Sequence, residues 1–192
     1  RTTFFSLMVR NYRLYFVGQG ISLPCTWMQT IGQAWLVLEL TGSGTALGLV
    51  IALQFFPILL FGPLGGVMAD RFSKQHILLA TQSIAGLLAL GLGILVATHV
   101  VQLWMVYVIA ACLGLVNAID NPTRQSFIFE MVGGKHIRNA VTLNSMEVNF
   151  ARIIGPAVAG IVIASVGIAV CFFVNAVSYI AVLVCLLLMR GQ

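Results

Sequence analysis

Charged side chains are scarce in this sequence of 192 residues. Only 8% of the residues are Asp, Glu, Lys or Arg, whereas 60% are hydrophobic and the mean hydropathy is +1.03. A soluble domain of this length carries roughly three times as much charge, because polar side chains must cover its surface. The shortage therefore excludes a water-soluble globule and predicts a protein whose apolar surface faces lipid.

Acids are the rarest charged class, with five Asp and Glu against ten Lys and Arg, for a net charge of +5. A basic balance can indicate nucleic-acid binding, but in so apolar a chain it favours Lys and Arg in loops that face anionic lipid. Grouped catalytic or metal-binding residues are also lacking. The four cysteines lie inside apolar runs, and His76, His99 and His136 are not spaced as metal ligands. The sequence predicts no enzyme, no cofactor, no metal site and no nucleic-acid partner.

Long apolar runs are abundant. Six of them follow one another, and each has about 19 residues or more, enough for a helix to cross a hydrocarbon core of roughly 30 Å. In lipid a helix satisfies its own backbone hydrogen bonds, which makes it the expected structure for each run. We predict an all-α, polytopic membrane protein with transmembrane helices over about 14–38, 46–69, 77–98, 100–119, 141–165 and 168–189.

The connections between the runs alternate in charge. The first, third and fifth contain no Lys or Arg, whereas the second, the fourth and both tails do. The positive-inside rule places the cation-bearing connections and both termini in the cytoplasm. Every Lys and Arg then lies on that side except Arg152, which falls inside the fifth run. In the fourth connection we predict an amphipathic segment that starts a helix at Pro122 and breaks at Gly133 and Gly134.

One cytoplasmic turn carries a compact charged motif, GVMADRFSKQ, over residues 66–75. Gly66 allows a neighbouring helix to approach closely. Asp70 can accept hydrogen bonds from a helix N-terminus or pair with a cation, in contacts that form in one conformation and break in another. A turn that served only as a positive anchor would explain Arg71 and Lys74 but not the acid.

This turn resembles the G-x-L-a-D-R-x-G-R-K loop between helices two and three of the major facilitator superfamily. In that family the loop stabilises the outward-facing state together with an acid at the inner end of helix four, where this sequence has Asp120. We predict that Lys74 pairs with Asp120, and that Asp70 pairs with Arg71 or with a helix outside this sequence. The resemblance implies a cytoplasmic latch of seven residues, namely Gly66, Asp70, Arg71, Lys74, Asp120, Arg124 and Glu130.

Residues 11–48, 120–132 and 139–160 are similar to the exporter branch that includes the enterobactin exporter and macrolide-efflux carriers. The resemblance implies a secondary active exporter of drug-like or siderophore-like small molecules, driven by proton antiport, in the inner or plasma membrane of a bacterium. Its six helices would form two inverted three-helix repeats, the N-terminal half of a twelve-helix carrier.

We therefore expect a second six-helix half. We also expect that the true N-terminus is absent, because the sequence starts at Arg1 without a signal-peptide pattern. The alternative is a truncated, non-transporting membrane scaffold or a half-transporter that needs a partner half.

The fifth run has a face of small and polar residues. Arg152 lies near the middle of the bilayer, where an arginine costs about 2.5–3.5 kcal/mol, so we expect it to face a partner or a wet cavity. The alternative is that it snorkels toward the cytoplasm with Glu147 as its counter-ion. Residues 151–160 partly resemble the fifth-helix antiporter signature, although ordinary small-residue packing explains them equally well. The intramembrane candidates are Glu147, Asn149, Arg152, Gly155, Pro156 and Gly160.

The first run carries uncharged polar residues one helical turn apart. We expect them to line a central cavity or to bond to neighbouring helices, and we expect Asn175 and Ser178 in the sixth run to bond to neighbouring helices. The run has no buried acid, since Glu39 lies at its outer edge, so a proton could be carried by Glu147, by Glu39 or by the second half. The cavity candidates are Gln19, Thr26, Trp27, Gln29 and Gln33.

Overall fold

The computed structural model describes residues 5–189, and within that range every regular element is a helix. The all-α fold class is therefore confirmed. A short 3-10 helix over Phe5–Met8 precedes six α-helices, namely α1 (Arg10–Thr41), α2 (Gly44–Arg71), α3 (Lys74–Ala97), α4 (Leu103–Gly134), α5 (His136–Val166) and α6 (Ile168–Leu188).

Five helices, α2 to α6, are long and apolar enough to cross a membrane. α1 has 32 residues but does not reach the hydropathy of the other five, because polar side chains occupy its buried face. That face includes Gln19, Gln29 and Gln33, and it packs against neighbouring helices instead of lipid. A sixth crossing by α1 remains a prediction.

A single helical path runs from Leu103 to Val166 and breaks at Gly133, where φ is 65° and ψ is 169°. Glycine adopts this left-handed conformation without the clash that a Cβ would cause. The predicted break is confirmed, but Pro122 lies inside α4 and does not start a helix. The charged connection is helical, and within it the carboxylate of Asp120 pairs with Arg124 one turn later.

The turn between α1 and α2 has a simple local cause. Gly42 adopts a left-handed conformation at φ 62°, and its N–H donates to the carbonyl of Leu38, which ends α1. The next residue, Ser43, caps α2, because its hydroxyl accepts the N–H of Ala46 at 3.4 Å. Two residues thus reverse the chain and start the second helix.

Glycines set the closest helix contacts. A Cβ on Gly65 of α2 would collide with the carbonyl oxygen of Ala118 in α4, so the two backbones touch there. A Cβ on Gly155 of α5 would lie 2.5 Å from the Cβ of Trp27 in α1. Gly66, predicted to permit close approach, has open space around it. The tight contact belongs to its neighbour Gly65, which points about 100° away around the helix.

One end of the bundle, here called the basic end, gathers the cations. The start of α1, the α2–α3 turn, the α4–α5 junction and the end of α6 meet there. The hydroxyl of Ser6 donates to the Asn139 side chain at 2.6 Å, and the amide of Gln75 donates to the Leu186 carbonyl at 2.6 Å. Arg1 and Arg190, which the charge pattern assigns to the cytoplasmic tails, lie outside the described residues.

The outer surface is apolar, as a lipid-facing surface must be. Leu59 is 77% exposed, and Ile153 and Ile161 are each 70% exposed. Such a surface would drive aggregation in water, but in a bilayer it costs nothing.

We expect Gly65→Ala to lower the unfolding free energy of the detergent-solubilised protein by about 1–3 kcal/mol, because the new methyl group must push α2 away from α4. Gly66→Ala is the matched control, since it lies in open space on the same helix, and it should change stability by less than about 1 kcal/mol. Thermal unfolding followed by tryptophan fluorescence measures both. Equal effects of the two variants would contradict the helix contact.

Candidate functional site

A buried carboxylate lies where three helices meet near the basic end. Asp120 of α4 is only 2% exposed. Its Oδ1 accepts hydrogen bonds from the hydroxyl of Thr81 at 2.7 Å and from the amide of Gln82 at 2.8 Å, both on α3. Its Oδ2 accepts from Nε and Nη2 of Arg124 at 3.0 and 2.5 Å. Four donors, two of them on the Arg124 cation, together offset the cost of burying this charge.

The network continues into α1. Nη1 of Arg124 donates to Oε1 of Gln19, which is 3% exposed. Gln19 was predicted as a cavity candidate, and the structure gives it a partner inside the bundle. The Asp120 network therefore joins α1, α3 and α4.

The predicted Lys74–Asp120 ion pair is wrong. Nζ of Lys74 lies 3.2 Å from Oε2 of Glu130, while Asp120 pairs with Arg124. The reason is that the two acids lie at different depths along α4. Glu130 lies ten residues beyond Asp120, which is about 15 Å along a helix at 1.5 Å per residue, and only Glu130 reaches the level at which α3 begins.

Asp70 and Arg71 are both exposed at the end of α2. Within residues 5–189 neither forms an ion pair, so the predicted Asp70–Arg71 pair is absent from the described part of the chain. The structure thus brings four latch candidates into two separate pairs, Lys74–Glu130 and Asp120–Arg124. It leaves the Asp70 carboxylate open to a partner from elsewhere.

A polar seam joins α1 to α6 and α2. The amide of Asn175 donates to Oε1 of Gln29 at 2.6 Å, and the hydroxyl of Thr26 donates to Oδ1 of Asn175 at 3.4 Å. The amide of Gln54 donates to Oε1 of Gln33 at 3.0 Å. The interhelical role predicted for Asn175 is confirmed. Three of the cavity candidates, Thr26, Gln29 and Gln33, form hydrogen bonds to other helices.

The side chains of Trp27 and Arg152 meet between α1 and α5. The Arg152 guanidinium lies 5.0 Å from the centre of the Trp27 ring, within the range of a cation–π interaction. No acid of the described range pairs with Arg152, and both carboxylate oxygens of Glu147 are buried without a hydrogen-bond partner. The alternative in which Glu147 is the counter-ion of Arg152 is therefore not what the structure has.

The other intramembrane candidates differ in their surroundings. Asn149 is exposed and donates to the Ser145 carbonyl within its own helix at 2.8 Å. Gly155 packs tightly against α1, Pro156 is half-buried beside it, and Gly160 has open space around it. On the small-residue face of α5, Gly155 is thus the close-packed position and Gly160 the open one.

Comparison with known proteins gives this geometry its context. The profile of the family described as transmembrane secretion effector, within the major facilitator superfamily, matches residues 1–192. The chain belongs to this family. It is 31% identical over 176 residues to the staphyloferrin A transporter of Staphylococcus aureus, an alignment that covers 91% of this chain and 44% of that protein.

Two further relatives are more distant. Macrolide efflux protein A of Streptococcus pyogenes is 24% identical, over 79% of this chain and 38% of the relative. The enterobactin exporter EntS of Salmonella typhi is 22% identical, over 78% of this chain and 34% of the relative. The chain therefore spans less than half the length of these relatives. Their family is one of transporters and not of enzymes.

Several residues of the site were not predicted from the sequence of this family member. Thr81, Gln82 and Gln54 each provide a donor to a neighbouring helix. In the sequence, each of these three residues is a polar side chain inside an otherwise apolar run. In lipid such a side chain indicates a hydrogen-bond partner on another helix, but the sequence does not identify that partner.

We expect Asn175→Ala to lower the unfolding free energy by about 1–3 kcal/mol, because it leaves the buried Gln29 side chain without its donor. Asn149→Ala is the control, since that amide is exposed and bonds only within its own helix, and it should cost less than about 0.5 kcal/mol. Denaturant titration of the purified protein in detergent measures both. If Asn149→Ala lowered the free energy of unfolding as much as Asn175→Ala, the result would contradict a stabilising role for the polar seam.

Proposed function

We propose that this chain is the N-terminal, six-helix half of a secondary active exporter of drug-like or siderophore-like small molecules. The observation that carries the proposal is the family match over the whole chain, together with relatives whose names describe siderophore transport, siderophore export and macrolide efflux. The chain covers 44% of the staphyloferrin A transporter, which agrees with one half of a two-half carrier.

The helix packing supports alternating access through two inverted repeats. α2 packs on α4 at Gly65, α1 packs on α5 at Gly155, and α3 packs on α6 at Gly86. A twofold axis that exchanges α1–α3 with α4–α6 would produce these pairings. In this proposal α1 is the sixth crossing, and its polar seam to α6 allows so polar a helix to lie inside the bilayer.

The basic end is proposed to be cytoplasmic, in the inner or plasma membrane of a bacterium, because cations are retained on that side. Asp70 is exposed there at the end of α2 and has no ion-pair partner within residues 5–189. We assign it the part of the latch that closes against the second half in one state of the cycle. The Lys74–Glu130 surface pair adds little stability, since Glu130 is half exposed.

Arg152 is assigned a gating role. Its guanidinium is held on Trp27 near the middle of α5 and has no acid beside it in the described range. An arginine at this depth needs a partner, and an acid of the second half or an anionic group of a substrate would supply one. Protons are the proposed coupling ion.

The test is export by the full-length protein in cells that lack their own exporters, with labelled macrolide, staphyloferrin A and enterobactin as probes. Asp70→Asn should lower export by about tenfold or more, because a charge-assisted contact is lost, while the amount of protein in the membrane stays unchanged. His76→Gln, an exposed change in the same region, should leave export intact.

Dissipating the proton gradient should stop export.

Export of none of the three probes would favour the alternative of a non-transporting scaffold. Full export activity of Asp70→Asn would contradict the latch role proposed for Asp70. Arg152→Ala should lower export more than it lowers the amount of protein in the membrane. Full export by Arg152→Lys would favour the alternative in which Arg152 only snorkels toward the cytoplasm.

A further inference from the structure

An apolar groove runs between α1 and α5 and has one acid in its wall. Its volume is about 750 Å³. Its apolar lining includes Phe16 and Pro24 of α1 and Met146, Phe150 and Ile153 of α5. Such a lining suits the hydrocarbon or aromatic body of a small molecule. The acid is Glu147.

Glu147 is 9% exposed, and neither of its carboxylate oxygens has a hydrogen-bond partner. Oε1 lies against the backbone of α1, since a Cβ placed on Gly20 would be 3.0 Å from it. In the described chain no Lys or Arg lies within ion-pair distance of this side chain. The carboxyl group is thus enclosed by α1 and α5 and left unsatisfied.

Few titratable groups face Glu147. Tyr12 and Tyr15 of α1 and Arg124 of α4 are near enough to interact with it electrostatically. Arg124 is already engaged by Asp120 and Gln19, and the two tyrosines are uncharged at neutral pH. On its own helix, Arg152 is held on Trp27. In the described chain none of these groups forms an ion pair or a hydrogen bond with Glu147, and the favourable charge of Arg124 acts on it only from a longer distance.

The charge state follows from this enclosure. An ionised carboxylate that is buried without a partner is very costly, and a neutral carboxylic acid is far less so. Its enclosure therefore favours the neutral form of Glu147 while the groove is empty. A positive charge brought beside the carboxyl group favours the ionised form.

We propose that the α1/α5 groove binds amphipathic amines, with Glu147 giving up its proton to pair with the cationic group. The apolar walls take the body of the ligand, and the side chain of Glu147 turns from Gly20 into the groove to meet the ammonium. The O–H bond of the carboxyl breaks, its proton passes to water, and the carboxylate pairs with the incoming cation. This inference deepens the proposed export function, since it names the substrate class of the site and the residue that exchanges a proton for it.

The binding test uses the full-length protein in detergent and two probes of equal shape and opposite charge, tetraphenylphosphonium and tetraphenylborate. Calorimetry in buffers of different ionisation enthalpy should show about one proton released per phosphonium bound. The apparent affinity for the phosphonium should rise with pH, because the proton competes for the same carboxylate, and it should level off once the empty site is ionised. Tetraphenylborate should show neither effect.

Glu147→Gln should weaken phosphonium binding by about tenfold or more and abolish both proton release and pH dependence. His76→Gln, a change at an exposed titratable side chain of α3, is the control and should behave as the wild type. Gly20→Ala keeps the carboxyl but crowds it out of its enclosed position, so it should raise phosphonium affinity at low pH and reduce proton release.

Phosphonium binding that Glu147→Gln leaves unchanged, or tighter binding of the borate, would overturn the inference. These are equilibrium measurements that need no transport. Glu147-dependent binding without export would therefore count against the proposed function alone, and export without Glu147-dependent binding would count against the inference alone.

Discussion

The bundle depends on keeping one carboxylate charged inside an apolar structure. Asp120 is buried at the point where α1, α3 and α4 meet, and it can stay there only because Thr81, Gln82 and Arg124 satisfy both of its oxygens. Lipid offers no water to replace a lost partner, so the hydrogen bonds from Thr81 and Gln82 hold α3 against α4, and the one from Arg124 to Gln19 holds α1. The Lys74–Glu130 pair joins the same two helices, α3 and α4, closer to the basic end.

The two buried acids of the bundle have opposite surroundings. Asp120 has four donors, whereas Glu147 has none and lies against Gly20. The bilayer core has no water to stabilise an unpaired charge. The protein groups around a carboxyl therefore decide whether it stays ionised as part of the structure or exchanges its proton. In our proposal the first acid holds helices together and the second responds to a ligand.

Much of the fold follows from the sequence, because in lipid a long apolar run has little choice but to form a helix. The break at Gly133 was predictable for the same local reason, since only glycine adopts its backbone conformation easily. Partner choice was not predictable. Sequence spacing placed Lys74 and Asp120 at the same end of the bundle but not at the same depth. It also did not distinguish Gly65 from Gly66, although adjacent residues point about 100° apart around a helix and only one of them meets α4.

A double-mutant cycle on Asp120 and Arg124 tests the central claim most directly. Asp120→Asn and Arg124→Gln, made singly and together in the full-length protein, are compared by their free energies of unfolding in detergent. Each single change leaves one buried charge uncompensated and should cost about 3–5 kcal/mol. The double variant buries no charge at this point, so it should cost less than the sum of the singles by at least about 1 kcal/mol. Additive costs would show that the two side chains act independently, and would contradict the view that Arg124 compensates the buried charge on which the bundle depends.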